Sequence, residues 1–320
     1  MSDVFGLVLP FFGLIFLGYL LARLTRQPLE ALGWMNTFVI YLALPALFFQ
    51  LLARTPFERL GEWTFILGSV LATFAVFVAM FAVSMVRRDA AIAPATIKGL
   101  AAAYGNIGYM GPGLALLAFG EEAAVPVALI FCFENIMHFT IAPLMMALAG
   151  SDRTPPGELA LTVIKRIVLH PFIIATAFGV LAAYFAFRPP APAERLLEFL
   201  ARAAAPCALF AMGVSLALRP LKRVPTELGL IAALKLAVHP LLCWLLLSAL
   251  GNFPESWVYT AVLLAALPTA TNVFVIAQQY DVWVQRASAS ILLTTVLSVG
   301  TVTALLYAIT SGLLPADLFP

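Results

Sequence analysis

The sequence predicts an all-α integral membrane protein of ten transmembrane helices, arranged as a 5+5 inverted repeat in which spans 4 and 9 are broken crossover helices. Three observations predict it. Of 320 residues, 63% are hydrophobic and 11% charged, against roughly 45–50% and about 25% in an average soluble domain. Such a chain cannot clothe itself in polar groups, which excludes both a soluble monomer and an intrinsically disordered chain. The apolar residues fall in runs of about 20, the length that crosses a bilayer core as a helix. Finally, the two halves of the chain match one another in register, and each carries one apolar run interrupted by glycine or proline.

In chain order the spans cover residues 4–22, 33–53, 63–86, 98–119, 123–149, 164–187, 196–218, 228–250, 256–280 and 287–313. The runs are too long and too continuously apolar for barrel strands, so they are read as helices. The first run is expected to be a span and not a cleaved leader, since Asp3 precedes it and no basic segment does. The longest polar connections are residues 150–163 and 188–193, which leaves no room for a nucleotide-binding fold or a phosphate-cradling loop. An ATP-driven pump on this chain alone is excluded.

Basic residues orient the spans. Arg23, Arg26, Arg87, Arg88, Lys98, Arg153, Lys165, Arg166, Arg219, Lys222, Arg223 and Arg286 fall on one side, and Arg54, Arg59, Arg188, Arg195 and Arg202 on the other. The richer side is expected to be cytoplasmic, placing both termini on the periplasmic face of the inner membrane. Net charge is only +2, and no basic patch argues for nucleic acid. Cys132, Cys207 and Cys243 lie inside apolar runs without CxxC spacing, so neither a disulfide framework nor a metal site is expected.

The repeat is visible as identities about 161 residues apart. Pro10, Phe11 and Gly18 map onto Pro171, Phe172 and Gly179, and Ala43, Pro45 and Phe49 map onto Ala204, Pro206 and Phe210. Residues 1–150 are thus a first five-helix repeat, 151–163 a connecting loop, and 164–320 a second repeat. With five spans each, the second is inserted upside down, an arrangement found in secondary transporters whose site lies where broken helices meet near the midplane.

Those breaks are legible. Span 4 contains Gly105-Asn106-Ile107-Gly108-Tyr109-Met110-Gly111-Pro112, and span 9 contains Pro268-Thr269-Ala270-Thr271-Asn272. Neither can continue a regular helix. A helix restarting inside the membrane exposes unpaired N–H groups and the positive end of its dipole, which attract an anion. Gly105, Asn106, Gly108, Gly111, Pro112, Pro268, Thr269, Thr271 and Asn272 are therefore the candidate substrate-binding residues, with Asn106 and Asn272 expected to cap the restarted helices or touch the ligand.

Ionisable residues inside spans are functional candidates by default. Glu134 and His138 stand four apart on span 5, and Lys235 and His239 repeat the spacing on span 8, so each pair shares a helix face. All four are candidate proton carriers, and Glu134 with His138 is the expected pair. No catalytic residues are expected: the sequence shows neither a nucleophile and base pair nor an HExxH-type motif.

The two interrupted motifs, Gly105 to Gly111 and Leu267-Pro268-Thr269-Ala270-Thr271-Asn272-Val273-Phe274-Val275-Ile276-Ala277 followed by Tyr280, resemble the crossovers of the auxin efflux carrier family. That family includes plant PIN auxin exporters and bacterial malonate transporters. The resemblance spans the whole chain, although Ile107 follows Asn106 where the plant exporters have proline, and their long cytoplasmic loop is absent. It implies a scaffold of spans 1, 2, 6 and 7, a transport domain of spans 3–5 and 8–10, carboxylate substrates, no organic cofactor, and a homodimer through the scaffold. The expected function is a secondary transporter that moves a small organic anion by alternating access, through an elevator-like or rocking movement of the crossover domain against the scaffold. Coupling would be to protons, or to sodium in the alternative reading of a bile-acid-type symporter.

The topology is testable. Single cysteines replacing Ser2 and Pro320 in a cysteine-free background should react with a membrane-impermeant thiol reagent from the periplasmic side. Reaction of either one from the cytoplasmic side alone overturns the ten-span arrangement.

Overall fold

The computed structural model describes residues 2–86, 90–150, 155–218 and 227–318. Arg87, Arg88, Arg153, Arg219, Lys222, Arg223 and Pro320, on which the expected orientation and its test draw, lie outside the described residues. Helix dominates, and no β-strand occurs among the described residues. The first half contains α1 (Ser2–Thr25), α2 (Gly33–Phe38), α3 (Leu44–Ala53), α4 (Trp63–Met85), α5 (Ile92–Ala103), α6 (Gly111–Phe119) and α7 (Ala124–Leu148). The second contains α8 (Pro156–Val168), α9 (Pro171–Tyr184), α10 (Ala191–Leu218), α11 (Glu227–Ala233), α12 (His239–Leu250), α13 (Glu255–Ala266), α14 (Thr271–Gln279) and α15 (Val284–Thr310).

Among the described residues seven helical stretches are long and apolar enough to cross a membrane: Val8–Thr25, Gly33–Ala53, Trp63–Met85, Gly111–Leu148, Ala191–Leu218, Glu227–Leu250 and Val284–Thr310. Ile92–Ala103 and Pro171–Tyr184 are shorter apolar helices. Apolar side chains face outward along them, Phe16 at 62% exposed and Val296 at 61%, as a lipid-bathed surface requires.

The interruptions follow from local chemistry. Leu267 ends α13 in an extended conformation (φ −65°, ψ 150°) because it precedes Pro268, whose ring excludes the helical region for its neighbour. His170 is extended before Pro171 for the same reason (φ −69°, ψ 129°), so expected span 6 is divided between α8 and α9. Residues 156–163, expected as part of a loop, belong to α8, which starts with a proline and carries Glu158 in its first turn, both favourable there. Two helices widen to π turns, at Val39–Ala43 and Leu234–Val238. Pro45 and Pro240 follow directly, and each lacks the N–H that an α turn would use.

The chain divides into two compact units. The first comprises Met1–Trp63, Gly108–Cys132 and Val168–Pro220. Its helices approach closely through glycine. A Cβ on Gly213 of α10 would fall on the backbone carbonyl of Ile15 in α1, and one on Gly18 of α1 on the carbonyl of Phe210. A Cβ on Gly179 of α9 would lie 3.1 Å from the carbonyl of Phe49 in α3. The Gly18–Phe210 and Gly179–Phe49 contacts join residues that the 161-residue offset interchanges.

The second unit comprises Thr64–Ile107, Phe133–Ile167 and Leu221–Pro320. Ala101, Ala102 and Ala103 at the end of α5 are fully buried, and small side chains let neighbouring helices come close. Buried Glu227 ties three elements together. Its Oε2 meets Lys98 Nζ of α5 at 2.9 Å and its Oε1 meets Arg286 Nη1 of α15 at 2.7 Å. Trp283 Nε1, at the left-handed residue that starts α15, donates to the same Oε1 at 3.1 Å.

Replacing Gly213 by alanine should push α10 off α1 and lower stability by about 1–3 kcal/mol, the usual penalty of overpacking. Gly300→Ala, where nothing lies within 4 Å of the added Cβ, should be neutral or slightly stabilising. Thermal melts of both variants in detergent check this. Equal melting temperatures would contradict the contact.

Candidate functional site

The second unit holds the end of α5 with Tyr104 to Ile107 and the whole break between α13 and α14, and these two segments pair. Between α5 and the α6 turn the chain runs extended through Tyr104, and between α13 and α14 through Leu267. The two segments lie antiparallel, bridged at Gly105 and Thr269. Asn106 N–H donates to Pro268 O at 2.8 Å, and Ala270 N–H donates to Tyr104 O at 2.9 Å. Thr269 completes the junction. Its N–H donates to Thr294 Oγ1 on α15 at 3.1 Å, and its hydroxyl donates to Ala101 O in the last turn of α5 at 2.7 Å. Backbone groups released by one break are thus satisfied by the other or by a neighbouring hydroxyl, which is what an unhydrated interior demands.

The candidate residues fare differently. Gly105, Asn106, Pro268 and Thr269 are buried at the junction, whereas Thr271 and Asn272 are only partly buried at the start of α14. Both donors of Thr269 are committed within the fold. Gly108, Gly111 and Pro112 lie in the first unit; a Cβ on Gly108 would meet the Phe131 ring at 3.0 Å, and Gly111 and Pro112 open α6. Neither asparagine caps a helix. The N-caps are Met110 and Ala270, because Asn106 comes too early in the chain and Asn272 already lies inside α14.

Asn272 instead reaches Tyr104. Its Nδ2 donates to the Tyr104 hydroxyl at 2.8 Å, and that hydroxyl donates to Asn135 Oδ1 on α7. The Tyr104 ring stacks on His138, with centroids 3.9 Å apart and planes at 16°. His138 is fully buried, and its ring nitrogens have no hydrogen-bond partner among the described residues.

Glu134 does not pair with His138. It turns to α4, where Thr73 Oγ1 donates to Glu134 Oε1 at 2.7 Å. Thr73 Oγ1 also lies 2.9 Å from His239 Nε2, and His239 Nδ1 lies 2.9 Å from Lys235 Nζ. Lys235 Nζ donates to Ala265 O at 2.5 Å, in the last turn of α13. A hydroxyl has one hydrogen. With Thr73 donating to Glu134, His239 must donate through Nε2 and accept at Nδ1 from Lys235. Lys235, His239, Thr73 and Glu134 therefore form one buried hydrogen-bonded file that ends on the carboxylate, with Ser69 O, 3.2 Å away, as a second acceptor for the Thr73 hydroxyl, a geometry that can pass a proton along it. The Lys235 amino group thus faces a carbonyl at the negative end of α13. The missing side chain of Gly105 makes room for it, since a Cβ there would stand 3.2 Å from Nζ. Lys235 itself lies in the π turn of Leu234–Val238, a distortion frequent at functional sites.

The geometry adds Thr73, Tyr104 and Thr294 to the residues singled out from sequence, and gives Asn135, a polar residue of span 5, a partner in the Tyr104 hydroxyl. Threonines in apolar helices carry no sequence signal of their own, and Tyr104 was hidden beside the glycines it precedes. Among the described residues no three His, Cys, Asp or Glu side chains are grouped to hold a metal. Within the first unit a cavity of about 500 Å³ is lined by Pro10, Phe11, Leu14, Leu116, Pro206 and Leu209 among others. These side chains are apolar and offer a carboxylate no donor.

Comparison with known proteins agrees in kind. A family model described as "Membrane transport protein" matches residues 3–306. A "Putative malonate transporter" of Rhizobium meliloti (strain 1021) is 64% identical over 320 residues, covering all of both chains. An "Uncharacterized transporter" of Methanothermobacter thermautotrophicus (strain ATCC 29096 / DSM 1053 / JCM 10044 / NBRC 100330 / Delta H) is 26% identical over 291 residues, 89% of this chain and 91% of that one.

Proposed function

The chain belongs to the membrane transport protein family, that of the auxin efflux carriers, and from that premise we propose that it is a secondary transporter of a small carboxylate, with malonate the first candidate. The observation that carries this reading is the antiparallel junction of the two breaks. It leaves α14 to start at Thr271 with the first-turn N–H groups of a helix, of which Val273 N–H turns back to Ala270 O at 3.1 Å, beside the partly buried amide of Asn272. These are neutral donors backed by a helix dipole, the chemistry that holds a carboxylate without a fixed positive charge. Asn106 joins the site through its place at the junction. The name of the Rhizobium relative is what singles out malonate.

In this reading spans 1, 2, 6 and 7 are the scaffold, through which a homodimer forms. Spans 3–5 and 8–10 are the transport domain, carrying the anion by elevator-like alternating access. Protons are the coupling ion, and the file from Lys235 to Glu134 is where they are held.

Binding and transport separate these parts. Each hydrogen bond to a charged group contributes roughly 1.5–3 kcal/mol, so Asn272→Ala should weaken malonate binding about 10- to 100-fold by titration calorimetry, with only the small fall in melting temperature that loss of its bond to Tyr104 brings. Unchanged affinity would move the site elsewhere.

For coupling, Glu134→Gln keeps an acceptor for Thr73 but cannot ionise. In proteoliposomes it should lose malonate uptake driven by a pH gradient while retaining malonate exchange. Gradient-driven uptake at the normal rate would leave Glu134 a purely structural role.

A further inference from the structure

Tyr104 touches the second break twice. Its backbone carbonyl accepts Ala270 N–H at 2.9 Å, and its hydroxyl accepts Asn272 Nδ2 at 2.8 Å. Its ring is held flat against His138, and the side chain is 1% exposed, so the hydroxyl has little freedom to move. That hydroxyl has a single hydrogen, which is committed to Asn135 Oδ1. Toward Asn272 it can only accept. The amide must therefore turn its nitrogen, not its oxygen, toward Tyr104.

We propose that Tyr104 is the positioning residue of this site, fixing the Asn272 amide so that its second Nδ2 hydrogen serves an anionic acceptor and its oxygen is kept from doing so. The proposal rests on the reading that Asn272 contacts the substrate. An asparagine amide has donors at one end and an acceptor at the other, and the two ends are nearly the same shape. A carboxylate has only acceptors. Unless the amide is fixed, it can rotate by half a turn and oppose oxygen to oxygen. The order Asn135 Oδ1, Tyr104 hydroxyl, Asn272 Nδ2 removes that freedom. Tyr104 thereby makes the site select acids over neutral amides of the same size, which bring donors of their own.

Tyr104→Phe removes the hydroxyl and keeps the ring, its stacking partner and the backbone bond. Malonate and neutral malonamide are the two probes, titrated into full-length protein in detergent. The variant should lose about 3- to 10-fold in malonate affinity and bind malonamide no worse than wild type, so that the preference for the acid narrows. In a double-mutant cycle, adding Tyr104→Phe to Asn272→Ala should have no further effect, because the tyrosine acts through the asparagine. Asn135→Leu, which releases the hydroxyl hydrogen to flip the amide, should reproduce the tyrosine variant.

Equal losses for malonate and malonamide, or additivity in the cycle, would overturn the proposal and leave Tyr104 a packing residue while Asn272 keeps its role. Wild-type malonate affinity in Asn272→Ala alone would instead remove the reading of the site on which the proposal stands.

Discussion

A peptide group that leaves the helix inside a bilayer has no water to turn to, and the cost of leaving it unpaired is several kcal/mol. The rest of this structure is arranged around that constraint. Two chain segments abandon the helix, and each supplies what the other lacks, through Asn106 N–H to Pro268 O and Ala270 N–H to Tyr104 O. One break alone would be expensive. Two breaks laid antiparallel become a short, dry piece of sheet-like pairing. The threonines around them supply hydroxyls for what remains, Thr294 for Thr269 N–H and Thr269 for Ala101 O.

Solving the backbone problem sets the side chains. Pairing brings Gly105 against the last turn of α13, where its missing Cβ admits the Lys235 amino group to the Ala265 carbonyl. A lysine there meets helix ends and not a lone counter-charge, and the file through His239 and Thr73 to Glu134 balances it with a carboxylate inside the same unit. Tyr104 is placed by the same junction, since the residue whose carbonyl receives Ala270 also projects its ring onto His138 and its hydroxyl between two asparagines.

What the sequence made legible follows the strength of the signals. Membrane residence follows from composition, because too few polar residues exist to cover any surface. The breaks follow from Gly105, Gly108, Gly111 and Pro268, residues whose backbone preferences are local and act whatever surrounds them. Tertiary partners were not legible. Glu134 and His138 stand four apart on one helix and suggested a pair, yet each finds its neighbour on another helix, Glu134 at Thr73 and His138 at Tyr104. Helical spacing says which residues share a face, not which helix that face meets. The amphipathic start of α8 was missed because its polar residues make residues 156–163 look like a loop when only continuous hydropathy is counted.

The choice of neutral donors at the proposed site has a physical logic of its own. A guanidinium would hold a carboxylate more tightly, but it would remain charged and buried when the substrate leaves, at a desolvation penalty of several kcal/mol. A carrier that must also return empty cannot keep such a charge uncompensated in its interior. Amide and backbone donors carry no net charge in either state. Their attraction for an anion comes from orientation, through the α14 first turn and the Asn272 amide, and orientation has to be enforced. The junction of the two breaks enforces the first, by ending α13 and starting α14 at fixed points. The hydrogen-bond order from Asn135 through Tyr104 enforces the second. Rigid placement of neutral dipoles thus stands in for charge, and the rigidity comes from the same pairing that made the broken helices tolerable in lipid.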